Sequence, residues 1–177
     1  MIFAKITANH EIFVLDNYPR QNSLLEDLGD YFENYKDCQN RRTNVKATMT
    51  EWNLDLPNQE FIHFKRTIYS VAKQIKLYWA CPFKINTIWA NIYRKGDYTI
   101  SHDHDPDRYS FVYFLKSKPN FSPLLFEDVN LKNKKKKWRV IKPIEGRLVI
   151  FPGFLKHKVP VHIHDETRIT ISGNFSQ

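Results

Sequence analysis

The sequence has little cysteine and no long apolar run. Its two cysteines, Cys38 and Cys81 among 177 residues, form no close redox or metal-binding motif, so we expect reduced thiols. An apolar stretch of about 18 residues or more, as a membrane-spanning helix requires, is absent. Residues 1–6 lack the basic segment, apolar run and small-residue cleavage site of a signal peptide. We therefore expect a cytoplasmic protein that does not enter a membrane.

Aromatic residues are abundant. Phe, Tyr and Trp make up 15% of the chain, with 13 Phe and 9 Tyr, and hydrophobic residues make up 42%. Strands favour such residues. A chain of this length and composition can build one hydrophobic core, and we expect a single domain that is rich in β-structure.

The N-terminal half mixes strand and helix patterns. Residues 2–8 and 11–15 have the alternating or β-rich composition of strands. Apolar residues then recur at helical intervals over 23–36 and again over 59–78, which predicts two helices. The polar stretch 38–57 between the helices predicts a long ordered loop.

From residue 84 onward the apolar residues repeat with a period of two. Many short strands joined by turns are typical of a sandwich or jelly roll, with the two helices packed on one outer face of a sheet. We therefore divide the single domain 1–177 into N-terminal strands and supporting helices (1–83) and a jelly-roll core (84–177). The predicted strands of this core are 84–93, 98–104, 109–116, 124–126, 138–141, 147–151, 157–162 and 167–175.

One short segment supplies most of the net charge of +8. Its six cations are Lys132, Lys134, Lys135, Lys136, Lys137 and Arg139. A basic patch of this kind can bind nucleic acid. A lysine run between two strands is more often a solvated hairpin tip, and we favour that interpretation because no aromatic residues separate the lysines.

Three histidines are candidate metal ligands. His102 and His104 are two residues apart on a predicted strand, so their side chains point to one face. His157 follows the apolar strand 147–151, and a jelly roll brings strands that are distant in sequence side by side. The three imidazoles could therefore occupy one side of an ion and leave the other side open. Neutral imidazole suits iron, zinc, copper and nickel, so the ligands do not name the metal.

The last strand carries a candidate anion clamp. Arg168 and Thr170 alternate onto one face, and a guanidinium with a hydroxyl beside it can grip a carboxylate. Arg168 lies about one hairpin after His157, which would place it on the strand beside the third histidine. The alternative is an exposed ion pair with Asp165 or Glu166, which contributes little.

These residues belong to a longer ordered pattern. The pattern runs through Trp89-Ala90-Asn91, Tyr93, Gly96, Tyr98, His102-x-His104, Ser110 to Leu115, Gly146 to His157, Arg168-x-Thr170 and Asn174. It resembles the iron(II)- and 2-oxoglutarate-dependent oxygenases, and most closely a bacterial and phage subgroup distantly related to prolyl hydroxylases. The resemblance covers roughly residues 84–177. It implies a mainly β fold with flanking helices, a cupin-like double-stranded β-helix.

The resemblance implies an Fe(II) site made by His102, His104 and His157. The usual pattern of the family has Asp or Glu at the second ligand position, where this chain has His104. The subgroup favours His-x-His, which supports His104. Asp105 is the rival second ligand, because it starts a turn and need not follow the alternation of the strand.

The resemblance also implies a site for 2-oxoglutarate and a hydroxylase activity with succinate and carbon dioxide as co-products. Arg168 would bind the distal carboxylate, with help from Thr170. Tyr93 lies about where related hydroxylases place a tyrosine near the co-substrate, although a core aromatic is an equal alternative. Phe114 replaces a second tyrosine that some relatives use.

Two other functions are compatible with the residues. The first is a jelly-roll metal-binding protein of another activity, such as a zinc-type hydrolase or a non-catalytic protein. Zinc hydrolysis does not require the Arg168-x-Thr170 pair, which argues against it. The second is a nucleic-acid-binding module that uses the Lys132–Lys137 hairpin. The sequence does not identify the substrate, which could be a peptide or a small molecule.

Overall fold

The structure is a computed structural model. It describes residues 11–17, 22–36, 44–57, 59–75, 84–129 and 135–176. The predicted strand 2–8, both cysteines and the hairpin residues 130–134 lie outside these ranges. No helix among the described residues is both long enough and apolar enough to cross a membrane.

Eleven strands in the described residues form two antiparallel sheets that pack face to face. The first sheet has the order β1-β9-β6-β11-β4-β3 and the second the order β2-β5-β10-β7-β8. This mainly β, jelly-roll architecture confirms the predicted fold class. The strands are β1 (Phe13–Leu15), β2 (Val45–Lys46), β3 (Thr48–Met49), β4 (Lys84–Tyr93), β5 (Tyr98–His102), β6 (Tyr109–Lys116), β7 (Leu124–Val129), β8 (Lys136–Ile141), β9 (Leu148–Pro152), β10 (His157–Val159) and β11 (Arg168–Ser176).

Two helices, α1 (Asn22–Glu33) and α2 (Gln59–Ile75), flank the first sheet. α1 contacts β4, β6 and β11, the central strands of that sheet. α2 buries an apolar stripe at helical spacing that joins the same core, formed by Phe61, Phe64, Ile68 and Val71. The helices therefore cover the outer face of the first sheet, as the sequence predicts, and leave its inner face for the site.

The period-two pattern divides side chains between two cores. Tyr113 on β6 packs in the core beneath the helices, whereas its neighbour Phe114 packs in the core between the sheets. A strand that is buried on both faces must be apolar on both, which explains the continuous apolar run of β6. The inner core supports the walls of the site.

Several predicted boundaries are wrong. α1 ends at Glu33 and not at residue 36, β8 begins at Lys136 and not at residue 138, and β10 ends at Val159 and not at residue 162. The stretch 38–57 is not only loop, because it contains the two-residue strands β2 and β3, which pair with β5 and β4. β7 extends to Val129, three residues beyond the prediction, because it pairs along its whole length with β8. β5 ends at His102 and not at His104, so the second histidine lies in the following loop.

Candidate metal centre and anion pocket

A cleft lies between the two sheets. Its volume is about 410 Å³, including the space where it opens to solvent. Strands β4 and β11 supply one wall, and β5 and β10 supply the other. The six lining residues predicted from the sequence are Tyr93, His102, His104, His157, Arg168 and Thr170. The candidate metal ligands and the candidate anion clamp therefore share one cleft.

The three predicted histidines converge. His102 and His157 face each other across the antiparallel pair β5–β10, with ring centroids 4.4 Å apart. The ring of His104 lies 5.0 Å from each of the others. One potential ligand nitrogen from each ring lies within 4.8 Å of the other two, so the set could hold a metal ion.

Backbone carbonyls fix two of the rings. Nδ1 of His102 lies 2.8 Å from the carbonyl oxygen of Ile100, and Nδ1 of His157 lies 2.9 Å from that of Leu155. A carbonyl only accepts hydrogen bonds, so each Nδ1 carries the proton and donates it. Each Nε2 then keeps a free lone pair. Second ring bonds of this kind orient metal-ligating histidines.

His104 reaches the cluster from a loop. Its N–H donates to the carbonyl of Gly153 at 2.8 Å, and its own carbonyl accepts from the N–H of Asp107 at 2.7 Å. Gly153 in turn donates to the carbonyl of Arg108 at 2.9 Å. These backbone bonds, and not strand alternation, position the second histidine. The predicted convergence with His102 is therefore correct, although the reason given for it is wrong.

Burial keeps the cluster uncharged. Desolvation, followed by the nearby His102, lowers the pKa of His104 to about 4. Desolvation and then the two other imidazoles lower the pKa of His157 well below its usual value. Desolvation also lowers the pKa of His102, against opposing effects from the Ile100 carbonyl and Asp103. All three rings are thus neutral at physiological pH, the form that binds metal.

Metal affinity should therefore depend weakly on pH. Three imidazoles of ordinary pKa would lose about fiftyfold in affinity between pH 7.5 and 6.0, because protons would compete for each ring. Since the folded pKa values are already lowered, we expect a loss of about threefold or less. Calorimetric titration of the metal-free protein with Ni(II) at both pH values measures this. A loss near fiftyfold would contradict the neutral cluster.

The donor set fits a divalent transition metal. Nε2 of His104 lies 3.3 Å from Nε2 of His157. Two nitrogens that bind one ion at about 2.1 Å, in adjacent positions, are separated by about 3.0–3.3 Å. Only His157 of the three is fully buried, so the cluster is open on one side to a further ligand.

The guanidinium of Arg168 is buried and forms no ion pair with an acidic residue in the described part of the chain. Its side chain is 1% exposed, and its Nε and Nη1 have no hydrogen-bond partner among the described residues. The rings of Tyr93 and Phe114 lie against it, with centroids 4.6 and 5.1 Å from Cζ. Burial lowers its pKa, and Tyr93 partly opposes that effect. An unpaired buried cation is costly, so this site fits an anionic ligand.

The alternative partners of Arg168 are engaged elsewhere. Asp165 bonds Lys95 at 2.9 Å, and Glu166 pairs with Lys118. The exposed ion pair considered from the sequence is therefore absent among the described residues. Arg168 also lies on the first sheet, opposite Tyr93 on β4, and not on the strand beside His157 as predicted. It reaches the cleft from the facing sheet.

Thr170 and Tyr93 line the same end of the cleft. Thr170 lies two residues after Arg168 on β11 and is 2% exposed. The hydroxyl of Tyr93 lies 2.7 Å from that of Thr99 on the opposite sheet. This bond fixes the ring of Tyr93 against Arg168. The clamp therefore has an ordered aromatic wall with hydroxyl groups beside it.

Sequence reasoning assigned no role to two further polar groups of the cleft. Trp89 Nε1 and Asn91 Oδ1 are buried and have no hydrogen-bond partner among the described residues. The signal was available, because Trp89, Asn91 and Tyr93 alternate on β4 and must share a face. Asp105, the rival ligand, is an exposed turn residue outside the histidine cluster.

Comparisons with known proteins agree with this geometry. Residues 87–174 match a protein-family model described as "Putative 2OG-Fe(II) oxygenase". The match begins two residues before Trp89 and includes all three histidines, Arg168 and Thr170. A sequence search of curated proteins found no match.

Solved structures share the fold. A prolyl-4-hydroxylase from Pseudomonas putida has a TM-score of 0.69 at 16% identity, over 96% of this chain and 94% of that chain. The collagen prolyl hydroxylase of Paramecium bursaria Chlorella virus 1, in its 2-oxoglutarate complex, has a TM-score of 0.66 at 13% identity, over 93% and 94%. HygX from Streptomyces hygroscopicus, with nickel and 2-oxoglutarate bound, has a TM-score of 0.71 at 7% identity, over 93% and 82%. At 7–16% identity these likenesses show the fold alone, and the family match over residues 87–174 places this part of the chain in the iron(II)- and 2-oxoglutarate-dependent oxygenase superfamily.

Proposed function

We propose that the protein is an Fe(II)- and 2-oxoglutarate-dependent dioxygenase that hydroxylates a substrate. The observation that carries this proposal is the buried, unpaired guanidinium of Arg168 in the same cleft as three converging imidazoles. A simple zinc hydrolase has no use for such a cation. A co-substrate with a carboxylate at each end can bind the metal through one end and Arg168 through the other.

In this proposal His102, His104 and His157 hold the iron. Their lowered pKa values keep them neutral, and the carbonyls of Ile100 and Leu155 hold two of the rings with Nε2 toward the ion. A bound Fe(II) would supply the activation of dioxygen, with one oxygen atom going to succinate as 2-oxoglutarate loses carbon dioxide and the other going to the substrate carbon as a hydroxyl group.

Arg168 would bind the distal carboxylate of 2-oxoglutarate through charge-assisted hydrogen bonds from its buried guanidinium, whose Nε and Nη1 have no partner among the described residues. Thr170 would add a hydroxyl donor. Tyr93 and Phe114 hold the guanidinium plane in position and exclude water from it. Low local polarity strengthens the contact between the two charges, which favours a dianion over neutral competitors.

We further propose that residues 84–177 form the catalytic jelly-roll core and that residues 1–83 support it within one oxygenase-like domain. The similar structures named above are two prolyl hydroxylases and HygX. Fold similarity at 7–16% identity does not transfer their substrates to this chain.

The direct test is an uncoupled turnover assay. The full chain, supplied with Fe(II), 2-oxoglutarate and oxygen but no substrate, should release succinate slowly. The matched Zn(II) sample should release none. Absence of succinate with Fe(II) at any co-substrate concentration, together with tight zinc binding, would favour another metal-dependent activity. A screen of peptides and small metabolites for faster succinate release would then identify the substrate.

The second metal ligand can be assigned by two matched substitutions. We expect His104→Ala to weaken Ni(II) binding by about a hundredfold or more, since it removes one of three ligands from a partly buried site. Asp105→Ala should change the affinity by about threefold or less, because this carboxylate is exposed and outside the cluster. Calorimetry on both variants measures the effect. Loss of binding in the Asp105 variant alone would reassign the ligand.

A further inference from the structure

The second sheet has an outward face that none of the described helices covers. Both helices pack on the first sheet, so the side chains of β5, β10 and β8 that point away from the cleft meet solvent. Four large apolar residues on this face are well exposed: Tyr98 (39%), Ile100 (44%), Trp138 (37%) and Val140 (58%). We call these residues, with Lys136 and Lys158, the outer face.

Lysines accompany the aromatic rings of the outer face. Nζ of Lys158 lies 4.1 Å from the ring centroid of Trp138, although the two residues are on strands separated by β7. Lys136 is 67% exposed and bonds Glu127 at 2.9 Å. Glu127 is mostly buried, so its ion pair leaves Lys136 exposed at the surface, and Lys158 has no acidic partner among the described residues. The face therefore combines exposed aromatic rings with two lysines.

This arrangement changes the interpretation of the lysine run. In sequence, the lysines have no aromatic residues between them, which favours a solvated hairpin tip. In the folded sheet, the ring of Trp138 on β8 lies against Lys158 of β10. Tyr98 on β5 is exposed on the same outer face of the sheet. Cross-strand neighbours thus supply the aromatic groups that the run itself lacks.

We propose that the outer face binds single-stranded nucleic acid. Every base has a flat face that can stack on an exposed aromatic ring, and lysines neutralise the phosphates between the bases. A sheet that presents aromatic rings between cations is an established way to hold a few unpaired nucleotides. The excess charge of the chain, +8 in total, would attract such a polyanion.

A second copy of the chain fits this face less well. β8 is an edge strand whose Lys136 lies on the outer face, whereas Lys137 and Arg139 lie on the opposite face. Lysines on an edge strand oppose pairing with another edge, because two copies would bring like charges together. Lys136 and Lys158 on the outer face favour a polyanion. The outer face is on the opposite side of the sheet from the cleft, so the proposal does not depend on the proposed catalytic function.

The test is fluorescence anisotropy of labelled 12-nucleotide DNA and RNA strands with the full chain at 50 and 200 mM NaCl. The wild type should bind more tightly at low salt. Trp138→Ala should weaken binding at least fivefold, and Trp138→Phe, which keeps a ring, should weaken it less. Lys158→Gln should weaken binding and reduce the salt slope by about 0.7, the value for one phosphate contact on a single strand.

Matched controls lie on the helices. Lys73 also lies over an aromatic ring, at 4.6 Å from Tyr69, and Tyr31 is a 46% exposed aromatic on α1. Lys73→Gln and Tyr31→Ala should leave nucleic-acid binding within twofold of wild type. All five variants should leave succinate release unchanged, which separates this proposal from the catalytic one.

Three results would overturn the proposal. The first is no salt-dependent binding by the wild type. The second is binding that the Trp138 and Lys158 variants leave within twofold, when circular dichroism shows that they are folded. The third is binding to vesicles with anionic lipid that is as tight as binding to the oligonucleotides and has the same dependence on Trp138, which would assign the face to a membrane surface.

Discussion

Arg168→Met is expected to abolish 2-oxoglutarate binding and, without co-substrate, to make the protein more stable. The guanidinium is buried against Tyr93 and Phe114, and its Nε and Nη1 have no partner among the described residues. A methionine keeps the apolar contacts and removes the buried charge. We expect a gain on the order of 1 kcal/mol in the free energy of unfolding, because apolar replacement of buried charges is often stabilising.

The binding loss should be large. Removing one partner of a buried charge pair costs about 2–5 kcal/mol, so the affinity for 2-oxoglutarate should fall about thirtyfold or more. Calorimetry on the Ni(II)-loaded protein measures the affinity, and thermal melts without co-substrate measure the stability. Arg168→Lys should bind weakly, since an ammonium lacks the planar, multi-donor geometry of the guanidinium. Arg66→Met, an exposed change on α2, is the matched control.

Stability and 2-oxoglutarate affinity together distinguish a structural role of Arg168 from a role in co-substrate binding. A purely structural arginine would give a destabilised variant with unchanged 2-oxoglutarate affinity. If Arg168 binds the co-substrate, the variant should be more stable and should bind 2-oxoglutarate more weakly, because functional residues are often retained at a cost in stability. Destabilisation without loss of affinity would therefore remove Arg168 from the site.

Gly153→Ala is expected to displace the loop that carries His104. A Cβ at this position would lie 2.1 Å from the carbonyl oxygen of Asp107 and 3.0 Å from its carbonyl carbon. Backbone atoms cannot move aside as a flexible side chain can. The backbone of Gly153 also bonds His104 and Arg108, so any shift is transmitted to the second metal ligand.

We expect this variant to bind Ni(II) at least tenfold more weakly and to lose about 1–3 kcal/mol in the free energy of unfolding, as overpacked sites do. Gly29→Ala is the matched control, because a Cβ there meets nothing within 4 Å and alanine favours a helix interior. Calorimetry and thermal melts on both variants give the comparison. Wild-type metal affinity in the Gly153 variant would show that the loop does not position His104.

Local pattern predicted most of the elements. The bounds of β4 and β6 agree with the sequence prediction, because β4 alternates, β6 has a long apolar run, and turn residues follow β4 and precede β6. Both helices lie where apolar residues recur at helical spacing. These features depend on neighbours along the chain, which a single sequence displays directly.

Features that depend on distant contacts were predicted less well. Arg168 joins the cleft from the sheet opposite His157, because β11 pairs with β4 and β6 over nearly its whole length. His104 is held by backbone bonds to a loop near residue 153. The strands β2 and β3 have only two residues each and exist because partners pair with them. Sheet assignment and loop anchoring are set by pairing across the fold, which residue spacing does not reveal.

The central claim is that three imidazoles and one guanidinium bind a metal ion and 2-oxoglutarate side by side. Anaerobic addition of both Fe(II) and 2-oxoglutarate to the full chain tests it most directly, because a visible charge-transfer band requires the co-substrate to bind the iron itself. The wild type should show the band, whereas His157→Ala and Arg168→Met should not. A wild type without the band at saturating concentrations of both, or a band that survives in Arg168→Met at the wild-type co-substrate affinity, would contradict the claim.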